Sequence, residues 1–398
     1  MIKHPDYDKL ALDLHRRNRG KIRMESKVPL ETALDLSLAY TPGVAAPCRE
    51  IQKDPAAADI YTNRRNTVAI VSDGTAVLGL GDIGAYGALP VMEGKAILFK
   101  AFAGIDAVPL CLKGLSPEEM VRFLEALEPS FGGINLEDIS APDCFYIEKE
   151  LQKRTSIPIF HDDQHGTAVV TLAALHNSLK IVGKKMENLK VVVNGAGAAG
   201  MAIASILLDA GVRELLILDR RGILVEGRQE GMNPYKEEMA RRSNPWNQNG
   251  SLSDALEEAD VFIGVSQGGL LDREKVRSMA KDAIIFALAN PVPEIMPEEA
   301  RLGGAGIICT GRSDLPNQVN NVLAFPGIFK GALESGARRI NEAMKLAAAE
   351  TIASLVPPQE LSRDNVIPSP FQAGIADAVA EAVAQAAIES GATELLEK

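Results

Sequence analysis

Cysteine is scarce in this chain, and long apolar runs are missing from it. The four cysteines, Cys48, Cys111, Cys144 and Cys309, stand far apart and form no C-x-x-C pair. That spacing gives no support to a structural zinc site and reads as isolated, reduced thiols, the pattern expected of a cytoplasmic protein. No stretch reaches the roughly 18 apolar residues that a bilayer-spanning helix needs, so no membrane partner is expected. The start, Met1-Ile2-Lys3-His4-Pro5-Asp6, lacks the apolar core of a signal peptide. Basic runs are absent too. With a net charge of −11 and no clustered Lys and Arg, nothing is placed to bind a phosphate backbone, which argues against nucleic acid.

What is present is the balance of a soluble globular protein, 46% hydrophobic and 24% charged, over 398 residues, a length that suits two domains. The stretch that organises the rest is Val191-Val192-Val193-Asn194-Gly195-Ala196-Gly197-Ala198-Ala199-Gly200. It reads as an apolar strand, a glycine turn and a helix start. Gly195 permits the tight turn, Gly197 lets a pyrophosphate approach the backbone, and Gly200 lets helix and strand pack closely. Ala196, Ala198 and Ala199 complete the turn, and the helix start offers N–H groups to phosphate. A second strand, 214–218, ends at Asp219, roughly 20 positions past the glycines, where an acid holds the adenosine ribose. The motif predicts a bound dinucleotide. The other reading is a glycine-tight turn without ligand.

From residue 6 to about 60 the pattern is helical and polar, broken by Pro29 and by Tyr40-Thr41-Pro42-Gly43-Val44. The amphipathic stretch 10–17 has no core of its own and is expected to pack on a second subunit. A strand over 67–72 leads into a glycine-punctuated loop that ends at Pro90, followed by a helix over 92–100. Strands at 107–112, 133–138 and 157–163 alternate with helices, one opening on Ser116-Pro117-Glu118-Glu119 with a capping serine and acids in its first turn. Near-continuous apolar runs at 260–265, 283–290 and 306–310 fit central parallel strands. This alternation predicts an α/β protein of two domains. An N-terminal α/β domain would span 1–163, and a C-terminal Rossmann-type doubly wound parallel sheet 164–398, with the active site in the cleft between. The alanine-rich helices near the C-terminus are expected to pack back on the first half.

Two acid pairs, Glu137-Asp138 and Asp162-Asp163, stand at strand ends, where ligands gather in open α/β sheets. Carboxylates brought together there repel one another unless a cation neutralises them, and all-oxygen ligands suit Mg²⁺ or Mn²⁺. Each pair can equally be a helix cap. His161 and His165 are four apart but lack the glutamate of a zinc-protease helix. Lys95 faces the glycine-rich loop. In a closed cleft its pKa would fall and suit it to act as a base, and in the open it would simply be solvated. Tyr40 is held by the Thr-Pro-Gly that follows. Asn290 ends a strand beside Pro291, where cofactor or substrate would lie. Asn320 and Asn321 can recognise a carboxylate or an amide, or cap a helix.

Taken together, these pieces resemble the malic enzyme family. The motifs that carry the likeness are Tyr40-Thr41-Pro42-Gly43-Val44, Gly79-Leu80-Gly81-Asp82-Ile83-Gly84, Glu93-Gly94-Lys95, Glu137-Asp138, His161 through Ala168, the Gly195 turn, Ala289-Asn290-Pro291, and Asn320-Asn321 before Phe325-Pro326-Gly327. They run in family order over nearly the whole chain, in the short prokaryotic form. The resemblance implies oxidative decarboxylation of L-malate to pyruvate and CO₂ with reduction of NAD or NADP, in a homodimer. It implies a divalent cation, Mg²⁺ or Mn²⁺, on Glu137, Asp138 and Asp163, with Lys95 as base, Tyr40 as the acid that protonates C3, and Asp162 supporting Lys95 or the metal. Asn290, Asn320 and Asn321 would hold substrate and the nicotinamide side. One departure stands out: longer members carry an arginine where Thr75-Ala76 follows Asp73-Gly74. Asp219 favours NAD, because a carboxylate repels a 2′-phosphate, although Arg220 and Arg221 can answer one. The competing classes are an amino-acid dehydrogenase with a cleft lysine and no metal, and a non-catalytic dinucleotide sensor.

Overall fold

Among the described residues ten short strands, most of them apolar and buried, build two sheets. The computed structural model describes residues 6–77 and 79–393. The strands are β1 Thr67–Ser72, β2 Asp106–Cys111, β3 Gly133–Leu136, β4 Ile159–His161, β5 Lys190–Asn194, β6 Glu214–Asp219, β7 Gly222–Ile223, β8 Val261–Gly264, β9 Ile284–Ala287 and β10 Ile307–Thr310. The first four form one parallel sheet in the order β2-β1-β3-β4, and the others a second in the order β10-β9-β8-β5-β6-β7. Among the described pairs of strands only the hairpin β6–β7 is antiparallel. Side chains alternate across the second sheet as strand geometry demands. Val191, Val193, Ile217 and Ile263 join one core, whereas Val192, Leu216, Leu218 and Phe262 join another.

The first of those cores is shared between the sheets. It includes Val68, Ile70, Phe99 and Phe160 of the first half together with Val191, Ile203, Phe325 and Phe329 of the second. The C-terminal helices Phe325–Ser335 and Ile375–Glu389 pack on each other and on helix Gly84–Ala103. Phe99 meets Phe325 and Phe329 at ring distances of 4.8 and 5.3 Å, and Phe160 meets Phe329 at 5.8 Å. Phe329 thus fastens the last third of the chain to the first sheet. Phe329→Ala is expected to destabilise the protein by about 3–5 kcal/mol, the range for a buried phenylalanine, read as a drop in the thermal midpoint with no new transition at lower temperature.

One expectation needs correction. The glycine loop does not run to Pro90. The helix opens at Gly84 and carries Pro90 within it, ending at Ala103. The proline deprives the Tyr86 carbonyl of its helical donor, at an exposed residue where water can serve it. The N-terminal helices Tyr7–Asn18, Ala33–Ala39 and Ala45–Lys53 contain no buried residue. Leu10, Leu12, Leu34 and Leu38 all lie on the surface of this arm.

Candidate active site

β3 and β4 are neighbours in parallel register, with Leu136 opposite His161. Whatever follows each strand therefore leaves the sheet at the same carboxyl edge. Glu137-Asp138 follow the one and Asp162-Asp163 the other, so the acid pairs that are 25 positions apart in the chain converge. Glu137, Asp138 and Asp163 each offer a carboxylate oxygen, all within 4.8 Å of one another. The backbone is bent to achieve this. Asp138 has φ +54°, a left-handed conformation that a non-glycine residue adopts only where its surroundings impose it. Ala76 N–H donates to the Asp138 carbonyl at 3.0 Å, and Asp138 N–H donates to Asp163 Oδ2 at 2.7 Å. Thr75 Oγ1 accepts from Ser140 N–H at 2.9 Å. The Thr75-Ala76 pair thus holds the Asp138 turn.

Lys95 reaches this cluster from helix Gly84–Ala103 and is buried. Its Nζ donates to Asp162 Oδ2 at 2.5 Å and pairs with Glu137 Oε1 at 2.8 Å, 4.2 Å above the Phe325 ring. Asn135 donates to Glu137 Oε2 at 2.9 Å. The lowered pKa expected for a cleft lysine is not what this arrangement produces. Burial alone would pull it down, but the Asp162 and Glu137 carboxylates outweigh burial and hold the ammonium above its ordinary value. The acids pay for the same burial in the opposite sense. Burial lifts Glu137 to about 7, opposed by Lys95 and reinforced by Asp163. It likewise lifts Asp162 to about 7 and Asp163 to about 6. Lys95 pairs with Glu137 and Asp162, and carboxylates gathered this closely are the condition under which a divalent cation fits. Three oxygens from Glu137, Asp138 and Asp163 suit Mg²⁺ or Mn²⁺.

Across the cleft, β5 feeds the glycine turn and helix Ala198–Asp209. A side chain at Gly200 would put its Cβ 1.7 Å from the Gly195 carbonyl oxygen, so helix and turn close only on glycine. Gly197 differs: a Cβ there meets nothing within 4 Å. Gly197 therefore leaves the space before the N-terminus of helix Ala198–Asp209 open. Asn290 follows β9, and its carbonyl oxygen lies 3.6 Å from where a Cβ on Gly79 would stand, so the two halves meet at this point.

The remaining expected residues divide. Asn321 donates to Asp162 Oδ2, the oxygen that Lys95 also holds. Asn320 spends its side-chain oxygen on capping, accepting from Val322 N–H at 3.0 Å. Tyr40 ends helix Ala33–Ala39, is 66% exposed, and its hydroxyl has no hydrogen-bond partner among the described residues. Asp219 ends β6 as expected, but its carboxylate is not free. Oδ2 accepts from Arg228 at 2.5 Å and from Lys236 at 2.8 Å, and against the upward push of burial these bonds hold it below the ordinary carboxylate range. Arg221, one of the two arginines that could answer a 2′-phosphate, pairs with Glu230. Arg228 and Lys236 escaped the sequence reading because they stand 9 and 17 positions beyond Asp219, in a stretch that carries no motif. No local pattern says that the chain folds back on the strand end.

A glycine-turn sheet that faces a buried lysine and a carboxylate cluster defines a two-domain, dinucleotide-dependent oxidoreductase. Residues 19–152 match the family model for the malic enzyme N-terminal domain, and residues 164–388 the one for the malic enzyme NAD binding domain. Over 385 residues, 97% of this chain and 94% of the relative, the sequence is 58% identical to the bifunctional malic/malolactic enzyme of Bacillus subtilis (strain 168). It is 50% identical to the NADP-dependent malic enzyme of Haemophilus influenzae, over 96% of this chain and 52% of that longer relative. The crystal structure of NAD-dependent malic enzyme from Thermotoga maritima superposes with a TM-score of 0.90 at 54% identity, covering 96% of this chain and 99% of that one. The chain belongs to the malic enzyme family.

Proposed function

We propose a role for each of these side chains in the family's reaction, the oxidative decarboxylation of L-malate to pyruvate and CO₂ with reduction of NAD or NADP. The observation that carries the assignment is Lys95, buried and held between Asp162 and Glu137 at the rim of the acid cluster. Glu137, Asp138 and Asp163 would hold a divalent cation, which would supply Lewis acidity, and the dinucleotide would supply the hydride acceptor. Lys95 takes the proton of the C2 hydroxyl. Glu137 is one of the two carboxylates that keep it charged, so a cation held by Glu137 would ease its loss of the proton and leave it able to act as the base. Asp162, itself held by Asn321, aims the lysine. Tyr40 delivers the proton to C3 after CO₂ leaves. Asn290, with Asn320 and Asn321, borders the substrate and the nicotinamide side. We take 1–163 as the catalytic domain and 164–398 as the dinucleotide domain. The test is NAD(P)H formation from L-malate with Mn²⁺ and after EDTA. Activity that survives EDTA would favour the metal-free amino-acid dehydrogenase reading.

The exposed N-terminal arm carries Tyr40, and we propose that a homodimer covers it. Light scattering of the purified chain should give twice the chain's 42.5 kDa, and a monomer at micromolar concentration would sink this part. We also propose that both cofactors are used. Asp219 alone favours NAD, but Arg228 and Lys236 leave one net positive charge at the ribose end. A phosphate there would meet two cations. Lys236→Ala is expected to cut kcat/KM for NADP by about 10-fold or more, the loss of one charge-assisted bond, while NAD changes by less than about 3-fold. Equal losses with both cofactors would remove Lys236 from selection.

A further inference from the structure

Asp162 and Asp163 do not sit on an ordinary helix start. They open a single wide helical turn, Asp162–Gly166, of the i→i+5 kind, which runs into helix Thr167–Val182. Such turns are sparse and need support from outside themselves. The support here is one buried carboxylate, Glu148, 6% exposed on helix Asp143–Arg154. Its Oε1 accepts from the backbone N–H of His161 at 2.9 Å. Its Oε2 bonds the His165 Nε2 at 2.9 Å and accepts from Gln164 Nε2 at 3.3 Å. One side chain therefore grips the chain on both sides of the two acids, while touching neither. The far end of the network is anchored as well. Lys345 Nζ lies 3.2 Å from His165 Nδ1 and pairs with Glu342 at 2.5 Å. An ammonium can only donate, so Nδ1 accepts, and the ring proton sits on Nε2, aimed at Glu148.

We propose that Glu148 is a positioning residue for the cation site. By holding His161 and His165 it sets where Asp163 stands relative to Glu137 and Asp138, without contact to cation or substrate. The inference rests on the cation-site reading above. The experiment is calorimetric titration of Mn²⁺ into the apo, full-length enzyme, with NADH binding measured alongside. Glu148→Ala is expected to raise the Mn²⁺ Kd about 10- to 100-fold, the usual cost of removing a group that orients a ligand. NADH affinity should stay within about 2-fold. Glu148→Gln keeps an acceptor for the His161 N–H and loses the charge that faces His165, so it should fall between wild type and Glu148→Ala. Wild-type Mn²⁺ affinity in Glu148→Ala, with only a lower melting temperature, would overturn the proposal and leave a structural role. If Glu148→Ala does not fold, Glu148→Gln and His165→Asn decide: a Kd raised at least about 3-fold in both supports positioning, and wild-type affinity in both overturns it. Asp163→Asn separates the two readings. If it binds Mn²⁺ as tightly as wild type, the cation site itself is misassigned.

Discussion

Replacing Lys95 with alanine is expected to lower kcat on L-malate by about 10³-fold or more, a loss of about 4 kcal/mol of transition-state stabilisation. Three observations set that size. Lys95 is the one ammonium paired with the acid cluster among the described ion pairs. It is buried, so no bulk base reaches the same place easily. It stands in helix Gly84–Ala103, which is tied to the C-terminal helices through Phe99, so its reach is set by packing. Dinucleotide binding should be spared, because the glycine turn lies on the other sheet; NADH fluorescence titration should give a Kd within about 2-fold of wild type. The apo variant loses the ammonium that pairs with both Glu137 and Asp162 and should melt lower, as buried pairs do when one partner is removed. Lys95→Met, which fills the space, separates lost packing from lost chemistry. Turnover within about 10-fold of wild type in either variant would remove Lys95 as the base.

How much of this was legible in the chain can be judged residue by residue. The glycine turn was, because its physics is local: six positions hold a strand end, a tight turn and a helix start, and Gly200 meets Gly195 only five residues away. The acid pairs were legible because strand ends in parallel sheets face one edge. What could not be read is what the acids touch. Asn321 reaches Asp162 across 159 positions and Lys95 reaches it across 67. Those separations decide that Lys95 is buried and strongly charged, rather than solvated or shifted down. The clamp on Asp219 is hidden for a different reason: Arg228 and Lys236 carry no periodic signal, and only the fold-back of the chain after β7 brings them to the strand end. Pro90 misled because proline in a helix costs about 3 kcal/mol at an interior site, and here the freed carbonyl belongs to an exposed residue.

Asp163→Asn has the second largest expected effect, and its sign depends on whether a cation is present. Asparagine keeps an oxygen where Asp163 offers one to the cluster, but it removes a charge. The Mn²⁺ Kd should rise about 100-fold, and kcat/KM on malate should fall by a similar factor at limiting Mn²⁺, with partial recovery at high Mn²⁺. Without cation the same change should stabilise the protein, because Asp163 is one of the charges that lift Glu137. The pH dependence follows from the directions of those shifts. Asp163 titrates at about 6 and Glu137 at about 7 in the folded protein, both above their ordinary values of 3.8 and 4.5. The folded state therefore binds these protons more tightly than the unfolded state does. Their contribution is fully present below about pH 4 and is lost as pH rises through about 6 to 7. EDTA-treated wild type should consequently lose melting temperature between pH 5 and 7.5, and Asp163→Asn should lose less. Saturating Mn²⁺ reverses the order. At 100 times its Kd a ligand stabilises the fold that binds it by about 2.7 kcal/mol, a gain the variant cannot match at the same concentration. Melting curves of both proteins at pH 7.5, with EDTA and then with Mn²⁺, should therefore cross. Wild type that melts above the variant even in EDTA would mean that the three carboxylates are already compensated by the protein, and that Asp163 is a structural group.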